Sequence, residues 1–113
     1  MNLDINKVKI IVTVPPENLE ELRRAMCESG AGIIGNYTYC STSTKCTGTF
    51  KPNEFASPYI GEKNKLEFVV EEKLEVVCDV KNVKSVIAKL KEVHPYEEPS
   101  IDIIPLLTEE SFN

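Results

Sequence analysis

The sequence predicts an α+β domain of the ferredoxin-like, split β-α-β-β-α-β plan, in which one face of an antiparallel sheet carries two helices. Three observations lead there. Apolar residues alternate at Val8, Ile10, Val12 and Val14 and again from Leu66 to Val80; two stretches with helical apolar spacing each follow such a strand; and Ile101, Ile103 and Ile104 supply a closing strand.

The first strand ends at Pro15-Pro16. From Glu17, acids crowd the first turn of a helix whose buried stripe is Leu19, Leu22, Ala25 and Met26, with Gly30 or Gly32 as its stop. Residues 33 to 49 mix Tyr, Thr, Ile and Cys with Gly35 and Gly48, which favours strand over helix and predicts a hairpin or bulged ribbon around Ser41 to Thr47. Between Lys51 and Asn64, Pro52, Pro58 and Gly61 break any period, so this part reads as an ordered excursion between the middle strands. Aromatic Phe50, Phe55 and Tyr59 imply that it packs against something.

Leu66, Phe68, Val70, Leu74, Val76, Cys78 and Val80 share one parity, opposite Lys65, Glu67, Glu71, Lys73, Glu75 and Asp79, with Glu72 as the intruder on the apolar side. Val83, Val86, Ile87, Leu90 and Val93 mark the second helix, with Asn82 or Asp79 as its cap, and His94-Pro95 ends it. The expected organisation is one domain over 1–113, with a core from about residue 7 to 106 and a polar tail from 107 to 113. Ile11, Val69, Val77 and Ile104 fall on the sheet face that the helices leave bare, which predicts self-association.

Composition excludes several classes. A hydrophobic share of 42% and a charged share of 27% describe a globular chain. A net charge of -5 repels phosphate backbones and anionic membrane surfaces, so neither nucleic acid nor a membrane is expected as a partner. Residues 1 to 9 lack the apolar run of a signal peptide, and no stretch reaches about 18 apolar residues, so a cytoplasmic location is expected. Cys27, Cys40, Cys46 and Cys78 lack CxxC spacing and read as reduced thiols.

Gly30-Ala31-Gly32-Ile33-Ile34-Gly35 fits GxGxxG, but a helix precedes it and a strand follows, the reverse of the dinucleotide context. Turn formation and close packing explain these glycines better. Cys40, Cys46 and His94 offer thiolate and imidazole donors for a soft metal if the predicted hairpin joins the two sulfurs. No Ser/His/Asp order, P-loop or HExxH occurs, and a single histidine restricts acid–base chemistry, so no catalytic residues are assigned. The densest stretch is His94-Pro95-Tyr96-Glu97-Glu98-Pro99, a stiff connector holding polar side chains just before the last strand.

Taken together, Ser29 to Tyr37, Cys40-Ser41, Gly48-Thr49-Phe50-Lys51-Pro52, Ala56, Pro58, Ile60-Gly61 and the HPYEEP run resemble the PII-like insert domain of the Nif-three-like (YqfO-type) family. The resemblance spans Val8 to Leu106. It implies a fold similar to CutA and the PII signalling proteins, which are ferredoxin-like trimers, and a form of the insert that stands alone. It brings no metal ligands of the host domain, and Ser100 stands where CutA typically has Glu. Thr42, Cys46 and Phe55 also depart from the family's usual residues.

The expected function is therefore a non-enzymatic, homotrimeric binding or regulatory module with clefts between subunits for a small ligand or a protein partner. Tyr37, Cys40, Thr49, Tyr96 and Glu97 are its cleft residues. The runner-up is a CutA-like protein binding a divalent metal through His94, with Glu98, Glu97 or a cysteine. A third class, a hydrolase or redox enzyme built on the cysteines, requires a thiol of depressed pKa.

Overall fold

The computed structural model describes all 113 residues. Strand β1 spans Lys7–Val14, helix α1 Leu19–Glu28, β2 Thr42–Phe50, β3 Glu67–Asp79, α2 Val83–Val93 and β4 Ile101–Leu106. The sheet order is β2-β3-β1-β4, and every pairing is antiparallel. This is the ferredoxin-like plan that the order of elements predicts.

Register decides what each face does. Val8, Ile10, Val12 and Val14 pair with Cys78, Val76, Leu74 and Glu72, so the apolar halves of β1 and β3 lie on one face. There they meet Leu19, Leu22 and Met26 of α1 and Val86 and Leu90 of α2, and these residues form the buried core. Alternation in β1 is complete, because its neighbours cover one side and leave Lys9, Ile11 and Thr13 half-buried on the other.

The structure corrects the sequence reading at three places. Residues 42 to 50 form one uninterrupted strand paired to Phe50↔Glu67, so there is no hairpin around 41–47; β-branched threonines at 42, 44, 47 and 49 suit extended backbone throughout. The turn that joins this region to α1 comes earlier, where Ile34 and Tyr37 exchange backbone hydrogen bonds at 3.0 and 2.9 Å. Neither Asn82 nor Asp79 caps α2 through its side chain: Asn82 Nδ2 instead donates to the Gly30 carbonyl at 3.3 Å. The apolar parity of β3 is also split, because the β2–β3 ribbon runs past the helices. Phe68 and Val70 are exposed where Leu74, Val76 and Cys78 are buried.

The glycine run makes a turn against the sheet. Ala31 bridges to Cys78, and Gly32 N–H donates to the Val77 carbonyl at 2.7 Å. Gly32 has φ +75, and a Cβ there would lie 3.0 Å from both Cys27 Sγ and the Cys40 carbonyl. The polar tail is tied down by a 3-10 turn at Glu109–Ser111, and Asn2 N–H donates to the Ser111 carbonyl at 2.7 Å.

Leu90 is fully buried between α2 and the sheet. Leu90→Ala is expected to lower unfolding free energy by about 2–5 kcal/mol, the range for an aliphatic core truncation. Exposed Lys91→Ala on the next position should change it by less than about 0.5 kcal/mol, and denaturant unfolding of both variants checks the contrast.

Candidate functional site

Beyond the core, the HPYEEP connector folds onto the sheet face that carries no helix. His94 begins this arrangement. Its N–H closes α2 by donating to the Leu90 carbonyl at 2.9 Å, while its ring is buried. Ring Nε2 lies 2.8 Å from the Thr13 carbonyl, which can only accept, so Nε2 carries the proton. Nδ1 then accepts from the Tyr96 N–H at 3.1 Å. Pairing of β1 with β4 stops at Val12↔Ile101, and the imidazole takes up the strand carbonyl one residue further on.

Tyr96 is the hub. Its hydroxyl donates to Glu71 Oε2 at 2.8 Å, and its ring packs on His94, Tyr59 and Phe50 with centroids 4.9, 6.2 and 6.5 Å away. Burial, then the hydrogen bond to Glu71, pushes the Tyr96 phenol up in pKa, so it stays a donor. Glu71 is only 5% exposed although it belongs to the charged parity of β3. It fits because Cys46↔Glu71 and Gly48↔Val69 are register pairs; a Cβ on Gly48 would approach Glu71 Oε1 to 2.0 Å. Glycine inside the strand is the space in which the carboxylate lies.

Glu97 anchors the excursion, its two carboxylate oxygens accepting from the Ser57 N–H at 3.1 and 3.3 Å. Connector, excursion and sheet thus enclose an open cleft of about 630 Å³. Its floor includes Glu71, Gly48 and Cys46, and Tyr59, Tyr96, Phe50, Glu97 and Glu98 are among its walls.

Of the residues singled out from sequence, Tyr96, Glu97, Glu98 and Thr49 border this cleft. Thr49 pairs with Phe68, however, which places its side chain on the opposite face of the ribbon. Tyr37 and Cys40 lie outside the cleft of the protomer: Tyr37 is 76% exposed, and Cys40 N–H donates to the Gly32 carbonyl at 2.8 Å. Glu71 and Gly48 escape the sequence reading as cleft-building residues. The signal for them is a glycine inside a strand, which becomes legible only when the β2–β3 register sets it beside Glu71.

The donor set does not fit a metal centre. Both His94 nitrogens are engaged in hydrogen bonds, and no group of three or more His, Cys, Asp or Glu side chains converges anywhere in the chain. Cys40 sits against the Gly32 turn, whereas Cys46 lies across from Glu71, so the sulfurs expected to join across a hairpin occupy separate parts of the fold. Burial pushes the thiols of Cys27, Cys46 and Cys78 up, away from the thiolate form that cysteine chemistry uses.

The sheet, helices and connector define a PII-like and CutA-like α+β module. CutA of Synechococcus elongatus superposes with a TM-score of 0.69 at 14% identity, covering 92% of this chain and 80% of CutA. The Bacillus subtilis GlnK–ATP complex gives 0.61 at 18%, covering 89% and 84%. At these identities they show the fold alone.

Sequence relationship points to one family. The GTP cyclohydrolase 1 type 2 homologs of Halalkalibacterium halodurans and Bacillus subtilis are 45% and 44% identical over 101 and 98 residues, covering 89% and 87% of this chain. A Bacillus cereus protein related to NIF3 matches at TM-score 0.79 and 37% identity, over 90% of this chain and 26% of its own. The chain is thus a homologue of one segment of the Nif-three-like proteins, and it spans about a quarter of the length of these relatives, 27% and 26% of the two curated ones. No family model matches the sequence.

Two outcomes test the site's construction. Gly48→Ala should cost about 1–3 kcal/mol of stability, because the new methyl must expel the Glu71 carboxylate from its place; denaturant unfolding reads this directly. Burial lowers the His94 pKa, so between its folded value and the ordinary value near 6.5 the unfolded chain binds more protons and stability rises with pH. Unfolding midpoints should therefore fall as pH drops through about 6.5, and His94→Gln should flatten that dependence.

Proposed function

We propose that this chain is a non-enzymatic, homotrimeric PII-like binding or regulatory module whose ligand or partner occupies the cleft beneath Tyr96. The observation that carries this is the roughly 630 Å³ cleft on the sheet face that no helix covers. Ile11 and Val77 are half-buried on that face, and Ile104 is 44% exposed in the isolated protomer. An antiparallel sheet with apolar groups on both faces is stabilised when another copy covers the second one. In this reading each cleft lies near a subunit boundary, and exposed Tyr37, with Cys40 on the same turn region, reaches a neighbour's cleft.

The raised thiol pKa values, the engaged imidazole and the hydrogen-bonded Glu97 support binding over catalysis. The curated relatives are named as GTP cyclohydrolase homologs, but the segment shared with them holds no arrangement of nucleophile, base and orienting group. No helix is long and apolar enough to cross a membrane. A cytoplasmic location and a single domain over 1–113 belong to the same proposal.

Native mass spectrometry of untagged protein at micromolar concentration should show a trimer, with any retained small molecule visible as added mass. A stable monomer overturns the proposal.

A further inference from the structure

We propose that the cleft takes an organic cation, its ammonium or guanidinium group seated against Glu71 and flanked by the rings of Tyr59 and Tyr96. This deepens, and rests on, the reading of the cleft as a ligand site. Glu71 is 95% buried by the complement of its 5% exposure, yet it forms no ion pair: the three salt bridges of the chain are Lys7–Asp79, Arg23–Glu20 and Lys89–Glu92. The Tyr96 hydroxyl satisfies Oε2, whereas Oε1 has no protein donor and keeps its access to the cleft. A largely buried carboxylate that has one neutral donor and one oxygen open to the cleft is placed to receive a cationic partner there.

The surroundings select the class of counter-charge. Glu97 and Glu98 add negative charge at the mouth, and Lys73 is the only cationic residue lining the cleft. Tyr59 lines the same cleft as Glu71, packed against Tyr96 at 6.2 Å and 50° and still exposed, so an organic cation there meets aromatic surface as well as a carboxylate. Glu71, Glu97, Glu98 and Cys46 all line the cleft, but no three of them converge as a bare divalent metal requires. Anions meet three carboxylates and one lysine. The open volume of about 630 Å³ exceeds what one ammonium group fills, so the ligand carries the cation on a larger frame.

Isothermal titration of the full chain with agmatine and with choline, using glutarate as an anionic control, tests this. At least one cation should bind saturably with Kd on the order of millimolar or tighter. Glu71→Gln, which keeps the shape and can still accept from Tyr96, should weaken it about tenfold through loss of a charge-assisted contact. Tyr59→Ala should weaken it by a smaller factor. Binding of neither cation, or equal binding by Glu71→Gln with its unfolding midpoint unchanged, overturns the inference. Glutarate binding in their place leaves the cleft a ligand site but reverses its class. If Glu71→Gln dissociates the oligomer and no cation binds, the counter-charge comes from a neighbouring subunit and the inference also falls. Native mass measurements on the same samples report subunit count independently, so loss of the trimer and loss of the cation site are separate results.

Discussion

The hydrogen bond from the Tyr96 hydroxyl to Glu71 is the contact on which the rest of the site depends. It joins a connector seven residues or fewer from α2 to the middle of β3, and it does so across a sheet face that no helix supports. Gly48 vacates the space for the carboxylate, His94 fixes the start of the connector, and Glu97 draws the excursion down beside it. Each of these acts on the same phenol ring or its immediate neighbours. Cleft shape therefore follows from one donor–acceptor pair whose two residues are 25 positions apart in sequence.

This pair also explains why a histidine that looks like a ligand serves as a strut. An imidazole can donate from one nitrogen and accept at the other only when neutral. Here Nε2–H donates a hydrogen bond to the Thr13 carbonyl and Nδ1 accepts one from the Tyr96 N–H, so strand, helix end and connector are locked by one ring. Desolvation favours the same neutral form. Stability and tautomer are matched, and in the protomer both ring nitrogens serve structural hydrogen bonds.

Legibility in the sequence followed the range of the interactions. The period-two run of β1 and the helical stripes of α1 and α2 depend on neighbours a few positions away, and the fold read from them agrees with the structure. Tyr96 and Glu97 stood out because proline stiffens the segment that holds them. Thr49 was legible as a strand residue but not as to face, since the side on which it falls is set by its pairing with Phe68. Glu71 looked like an ordinary solvent-side acid, and only the partner strand shows why it is buried. The uninterrupted β2 was hidden by Ser41 and Gly48, residues that suit turns as readily as they suit an edge strand with a carboxylate against it.

Sheet order carries a kinetic consequence. The first strand lies between the third and the last, so β1 acquires its second neighbour only when residues 101 to 106 join it. Contacts between segments far apart in sequence require the largest loops to close and form late. The connector bearing His94 and Tyr96 leads directly into that last strand, so its docking and the closure of the sheet are one event. On a ribosome, β1, α1 and the β2–β3 ribbon emerge first and assemble around an open edge, and the cleft comes into being only with the final strand.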